Sequence, residues 1–133
     1  MTTAPARIAE WSSVALGAVA LAGSVAAYGV RHVRRQDWQD LVVGTRCRTV
    51  PPLPDVTALN WLGIASSVVA IVAFAYYCRV VVRARGTSLR VVIGAVLAVV
   101  AVGCLAVGLL FATTTPTDAH DGLDGSGLPC ASG

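Results

Sequence analysis

Four cysteines and two histidines are the side chains of this chain best suited to binding a metal or exchanging electrons. His32, Cys47, His120 and Cys130 fall in polar stretches, whereas Cys78 and Cys104 fall in apolar ones. Zinc sites usually draw on local pairs such as CxxC or HxxxH. No such pair is present, so no metal is expected. A disulfide between Cys47 and Cys130 is a simpler use of the two water-exposed thiols, since such bonds persist in oxidising compartments. Cys78 and Cys104 stand alone, and as small, soft packing residues they need no redox role. No histidine lies in an apolar stretch, so a haem held between helices would lack its usual ligand. The chain has no phosphate-cradling glycine loop, no Ser-His-Asp order and no paired carboxylates. It is therefore not expected to be an enzyme, and no cofactor is expected.

The other chemistry-bearing residues are arginines. All ten basic residues are arginine, and a group of four runs through "CRVVVRARGTSLR" as Arg79, Arg83, Arg85 and Arg90, between two apolar stretches. Arg79 and Arg83 are four apart and share a helical face. Their stems can run along lipid while the guanidinium groups reach phosphate. These four arginines are read as a topology signal and as contacts for lipid headgroups. Anionic lipid is a candidate partner, at about 1 kcal/mol per arginine near a charged surface. Nucleic acid is not expected. Glu10 sits beside Trp11 near a helix start, where negative charge is favoured. It reads as an interfacial anchor rather than a proton or substrate site.

The elements that must position these residues are apolar. The chain is 56% hydrophobic and only 13% charged, about half the charge of an ordinary globular chain. The apolar residues collect in three blocks, at about 11–30, 56–78 and 91–112, each close to the ~20 residues that span a bilayer core. A soluble helix needs a polar face, and "VVIGAVLAVVAVGCLAVGLLFA" has none. Buried strands are far shorter than these blocks. The expected fold is all-α, a single membrane domain of three transmembrane helices with short loops, and the lipid bilayer is its first partner. "AGSVAA" after an apolar run raises the alternative that residues 1–26 are a cleaved signal, but Glu10 and Trp11 fit its start poorly.

Connections follow from the breakers. Residues 31–55 are expected as an outer loop that opens with "RHVRR" and ends in the stiff "PPLP", with Asp55 or Thr57 capping the second span. Trp38, Leu41, Val42 and Val43 are read as part of that loop. Residues 79–90 form a turn in which Gly86 ends one helix and Ser88 caps the next. Residues 113–133 are a polar tail. Trp11 with Tyr28, and Trp61 with Tyr76 and Tyr77, are expected at the headgroup levels, where an aromatic ring can keep its polar edge wet.

Arginine counts on the two sides tie, so the positive-inside rule is applied span by span. The second and third spans place the 79–90 turn inside, and the first dissents because "RHVRR" follows it. The N-terminus is therefore expected in the cytoplasm and the C-terminus outside the cell membrane. Small residues form the last signal. Gly63, Ser67, Ala70 and Phe74 track one face of the second helix, and Gly94, Ala98, Ala101 and Gly108 one face of the third; such faces let helices approach closely. The polar residues available to line a path are Ser12, Ser13, Ser24, Ser66 and Ser67. The expected function is a small accessory or structural subunit packing against a larger membrane complex. The alternative is a component of an oligomeric transporter or channel.

Overall fold

A computed structural model of the protein describes residues 4–45, 51–86 and 88–114. It is all-α, with α1 at Ala4–Gly44, α2 at Thr57–Arg85 and α3 at Leu89–Thr114. All three are long and apolar enough to cross a membrane. Helix α2 packs along both neighbours, while α1 and α3 meet at only a few positions.

The contact faces repeat every three and four residues. On α1 they run Ser13, Gly17, Ala20, Ser24, Ala27 and Arg31, all buried or half-buried. On α2 they run Gly63, Ser67, Ala70, Phe74, Tyr77 and Val81, all buried. Gly94, Ala101 and Gly108 are the buried residues of α3, seven apart, and Ala98 is half-buried. A strict seven-residue spacing keeps a seam facing its neighbour along a gently supercoiled pair of helices. Because the seam residues are mostly small, the backbones come close, and association without a hydrophobic driving force depends on that close packing.

Large side chains enter these seams where a glycine faces them. A Cβ on Gly17 would lie 2.8 Å from Cε1 of Phe74. One on Gly94 would lie 2.8 Å from the Cys78 sulfur and from Tyr77 Cδ1. Phe74 forms the centre of the core with Ala70 and Ala101, flanked by Leu21, Ile71 and Leu97. Between α1 and α2 the fully buried hydroxyls of Ser24 and Ser67 stand 2.8 Å apart. Ser67 donates its one hydrogen to the Gly63 carbonyl at 2.9 Å, so Ser24 is the donor between the two. Interhelical bonds of this kind are worth about 0.6–2 kcal/mol in a membrane.

Three expectations are corrected here. Helix α1 does not end near residue 30 but continues to Gly44, so residues 31–44 are helix rather than loop. The reason lies in the residues themselves. No proline or glycine interrupts 31–43, and Arg31, Arg35, Trp38 and Val42 continue the inward seam. At 41 residues and about 1.5 Å per residue α1 is roughly 60 Å long, about twice a bilayer core. Its last turns hold Trp38 and Val42 buried, and the Trp38 indole N–H donates to the Pro51 carbonyl at 3.0 Å. The stiff proline segment thus folds back onto α1.

Second, Tyr28 does not keep its polar edge outward, since its hydroxyl is buried. Its ring enters the bundle between Gly63 of α2 and Gly108 of α3 and meets Phe111 edge-on, with centroids 6.0 Å apart. Tyr77 is also buried, whereas Trp11, Trp61 and Tyr76 face outward. Third, Ser88 does not cap α3 with its side chain. Its carbonyl accepts from Val91 and Val92, but its hydroxyl has no partner. Gly86 does end α2, at φ 71°, with its N–H donating to Val82 at 2.9 Å; glycine adopts that conformation without a Cβ penalty. At the start of α2, Val56 takes the cap position, and Asp55 accepts the Thr57 N–H at 2.9 Å. That backbone bond, then the Thr57 hydroxyl, hold the Asp55 carboxyl below its usual range. Val56 itself offers no side-chain cap, and the Asp55–Thr57 contact beside it is present at neutral pH and is lost as the pH falls below the ordinary aspartate range.

Candidate functional site

The two ends of the bundle use their charges differently. At the end where α2 turns into α3, Arg79, Arg83 and Arg90 are exposed. Arg90 reaches across to the first helix, its Nη1 donating to Glu10 Oε1 at 3.1 Å. Glu10 is thus an anchor of a specific kind, joining the beginnings of α1 and α3. With Arg90 more than half exposed, a pair like this contributes about 0–1 kcal/mol.

At the opposite end the arginines turn inward. Arg31 and Arg35 are four residues apart on α1 and share the face that meets α2 and α3. Arg31 is only 6% exposed. Its guanidinium carbon lies 3.9 Å from the centroid of the Phe111 ring on α3, within the range of a cation–π contact. Because Phe111 also meets Tyr28 edge-on, the row Tyr28, Phe111 and Arg31 ties α1 to α3 at this level. Arg35 has its Nε and Nη2 buried without a hydrogen-bond partner.

These two arginines line a cavity of about 410 Å³ together with Asp55, Asn60, Trp61 and Phe111. Its floor is polar in an unusual way. Asn60, one turn into α2, is 7% exposed and its Oδ1 has no partner. Buried polar groups are nearly always hydrogen-bonded, and three that are not, Asn60 Oδ1 and Arg35 Nε and Nη2, belong to residues that line this one space. The volume lies within the about 300–1,000 Å³ usual for small-molecule sites.

Residue types alone did not mark this site. "RHVRR" reads as a solvated cluster when 31–55 is taken as loop. The usable signal was the 4-3-4 spacing of Arg31, Arg35, Trp38 and Val42, which continues the seam of α1 past the last apolar block. Asn60 carries no signal until α1 and α3 are placed around it.

The other candidate residues are dispersed. Gly63, Ser67, Ala70, Gly94, Ala98, Ala101 and Gly108 lie in the helix seams. Cys78 packs on Gly94 and is a free thiol, as is the half-buried Cys104. Cys47 and Cys130 lie outside the described residues, and among the described residues no cysteine is paired; the structure lends the expected disulfide no support. Among the described residues no group of three or more His, Cys, Asp or Glu is placed to hold a metal. The Arg85 side chain is not described. No protein-family model, curated protein or solved structure matches the chain.

Proposed function

We propose that this is a small integral membrane protein of the cell membrane that serves as an accessory or structural subunit of a larger membrane complex. One observation carries the reading. The buried serine hydroxyls are used up inside the fold: Ser24 bonds to Ser67 across α1 and α2, and Ser67 bonds to the Gly63 carbonyl of its own helix. A conducting path would need such groups to face a common space from end to end. The outward surface is apolar, with Val92, Val96, Val99 and Leu110 exposed on α3 and Val19 and Val25 on α1, which suits lipid or the helices of a partner.

Solubilisation from native membranes in mild detergent tests this reading. The expected result is co-purification with larger subunits in fixed ratio. A homo-oligomer that passes ions or solutes after reconstitution would replace it with the transporter or channel reading.

The orientation that fits this reading places the N-terminus in the cytoplasm and the C-terminus outside. Arg79, Arg83 and Arg90 stay exposed at the cytoplasmic end, while Arg31 and Arg35, two of the arginines that argue against it, are turned into the bundle. In a cysteine-free background, an impermeant maleimide is expected to label a cysteine introduced at Ser126 in intact cells, and ones at Thr3 and Thr87 only after permeabilisation. The opposite pattern would show that "RHVRR" governs insertion.

A further inference from the structure

We propose that the cavity between Arg31, Arg35 and Asn60 is a binding site for a phosphate-type anion, either the headgroup phosphate of a lipid or a free phosphate. This goes beyond the subunit reading and does not depend on it.

Three independent features converge. The first is donor chemistry. Two guanidinium groups line one space, and each presents its N–H groups in a fork that matches two oxygens of one phosphate; Arg35 Nε and Nη2 are covered and have no partner, so turning that side chain toward an anion gives up no hydrogen bond of theirs. The second is rigidity. Arg31 is held over the Phe111 ring at 3.9 Å, and Arg35 stands one turn further along the same helix, so the helix sets the separation of the two cations. The cavity walls come from α1, α3, the start of α2 and the proline segment that precedes it, including Leu53 and Pro54. The third is charge. Among the lining residues the two arginines outnumber the single carboxylate, Asp55, and Asp55 already accepts the Thr57 N–H. Two like charges on one helix face repel, and a bound anion would relieve that repulsion.

Asn60 refines the chemistry. Its amide can turn over to donate to a phosphate oxygen, or keep Oδ1 toward a hydroxyl or ammonium group carried by the same ligand. Placement fits too. The cavity lies where the apolar block of α1 gives way to Arg31, and where α3 runs out at Phe111 and Ala112. In a membrane-spanning chain that is the level of the headgroups.

The test uses the full chain, purified in dodecyl maltoside and stripped of lipid by detergent exchange. Native mass spectrometry counts ligands bound per chain, and Trp61, which lines the cavity, contributes to a fluorescence titration. The two probes are a short-chain phosphatidylglycerol and inorganic phosphate. Saturable binding of one ligand per chain is expected with at least one probe. Binding of the lipid alone assigns the site to a headgroup, and binding of inorganic phosphate assigns it to a free anion. Arg35→Gln is expected to weaken binding at least about tenfold at unchanged helix content. Arg34→Gln, which removes the same charge from the exposed side of α1 beside the cavity, is expected to leave it intact. Should Arg35→Gln fail to fold, Asn60→Leu takes its place, with the same loss expected. Saturation with neither probe overturns the proposal. So does an equal loss of affinity in the cavity variant and in Arg34→Gln, which would reduce the effect to net charge.

Discussion

Replacing Gly63 with leucine is expected to force α1 and α2 apart, and removing the Tyr28 ring is expected to restore part of the lost stability. The Tyr28 ring fills the space in which any side chain at Gly63 would begin, and its hydroxyl end occupies the corresponding space at Gly108. It cannot swing clear, because Phe111 stands edge-on against it with centroids 6.0 Å apart. Overpacking a well-filled core typically costs about 1–3 kcal/mol. Here the added bulk meets an aromatic ring confined by three helices, so the upper end of that range is expected. Detergent-unfolding curves of Gly63→Leu, Tyr28→Ala and the double variant close a cycle. The double variant is expected to be more stable than the sum of the two losses predicts, by at least about 1 kcal/mol, since the two sites share one volume. Strict additivity would show that Tyr28 does not occupy the space beside Gly63.

Phe74→Ala is expected to lose about 3–5 kcal/mol, the usual range for deleting a buried phenylalanine. Phe74 is 1% exposed and is the largest of the fully buried side chains. Its ring lies over Gly17, with Ala20, Ala70, Ala98 and Ala101 around it. Those small neighbours have no length to spare, so only Leu21, Ile71 and Leu97 can lean toward the space the ring leaves, and they fill it in part. The bundle must then either keep a dry cavity or let α1 slide against α2. The same unfolding measurement reads the loss, and a conservative Phe74→Leu is expected to recover much of it. A loss under about 1 kcal/mol would mean that the ring is not packed between α1 and α2.

Hydropathy made three long helices readable because it is a local sum. Each block carries enough consecutive apolar residues to be helical and to span a membrane, whatever the other blocks do. The same holds for Gly86, whose backbone angle satisfies the end of α2 locally. Small residues repeating on α2 and α3 marked faces along which helices could approach, since Gly and Ala expose backbone whichever partner arrives. The length of α1 is not legible locally, because a cluster of arginines normally ends an apolar segment. The helix runs on because Trp38 and Val42 continue its seam, and that gain appears only when the proline segment folds back and Pro51 accepts the indole N–H.

Tertiary structure alone decided which residues meet. Glu10 and Arg90 are 80 residues apart in the chain, and their pairing requires α1 and α3 to begin at the same end of the bundle. Tyr28, placed at an interface by its type, is a wedge because glycines on two other helices leave room for it. Arg31 and Arg35 looked like a solvated cluster, and they became the walls of a cavity when Phe111 and Asn60 arrived from α3 and α2. Composition and periodicity act within a segment, so the chain on its own determined three apolar helices, their small-residue faces and the turn between α2 and α3. The contacts that make a site depend on register between segments, set by close packing of side chains far apart in sequence, and only the assembled bundle supplies that register.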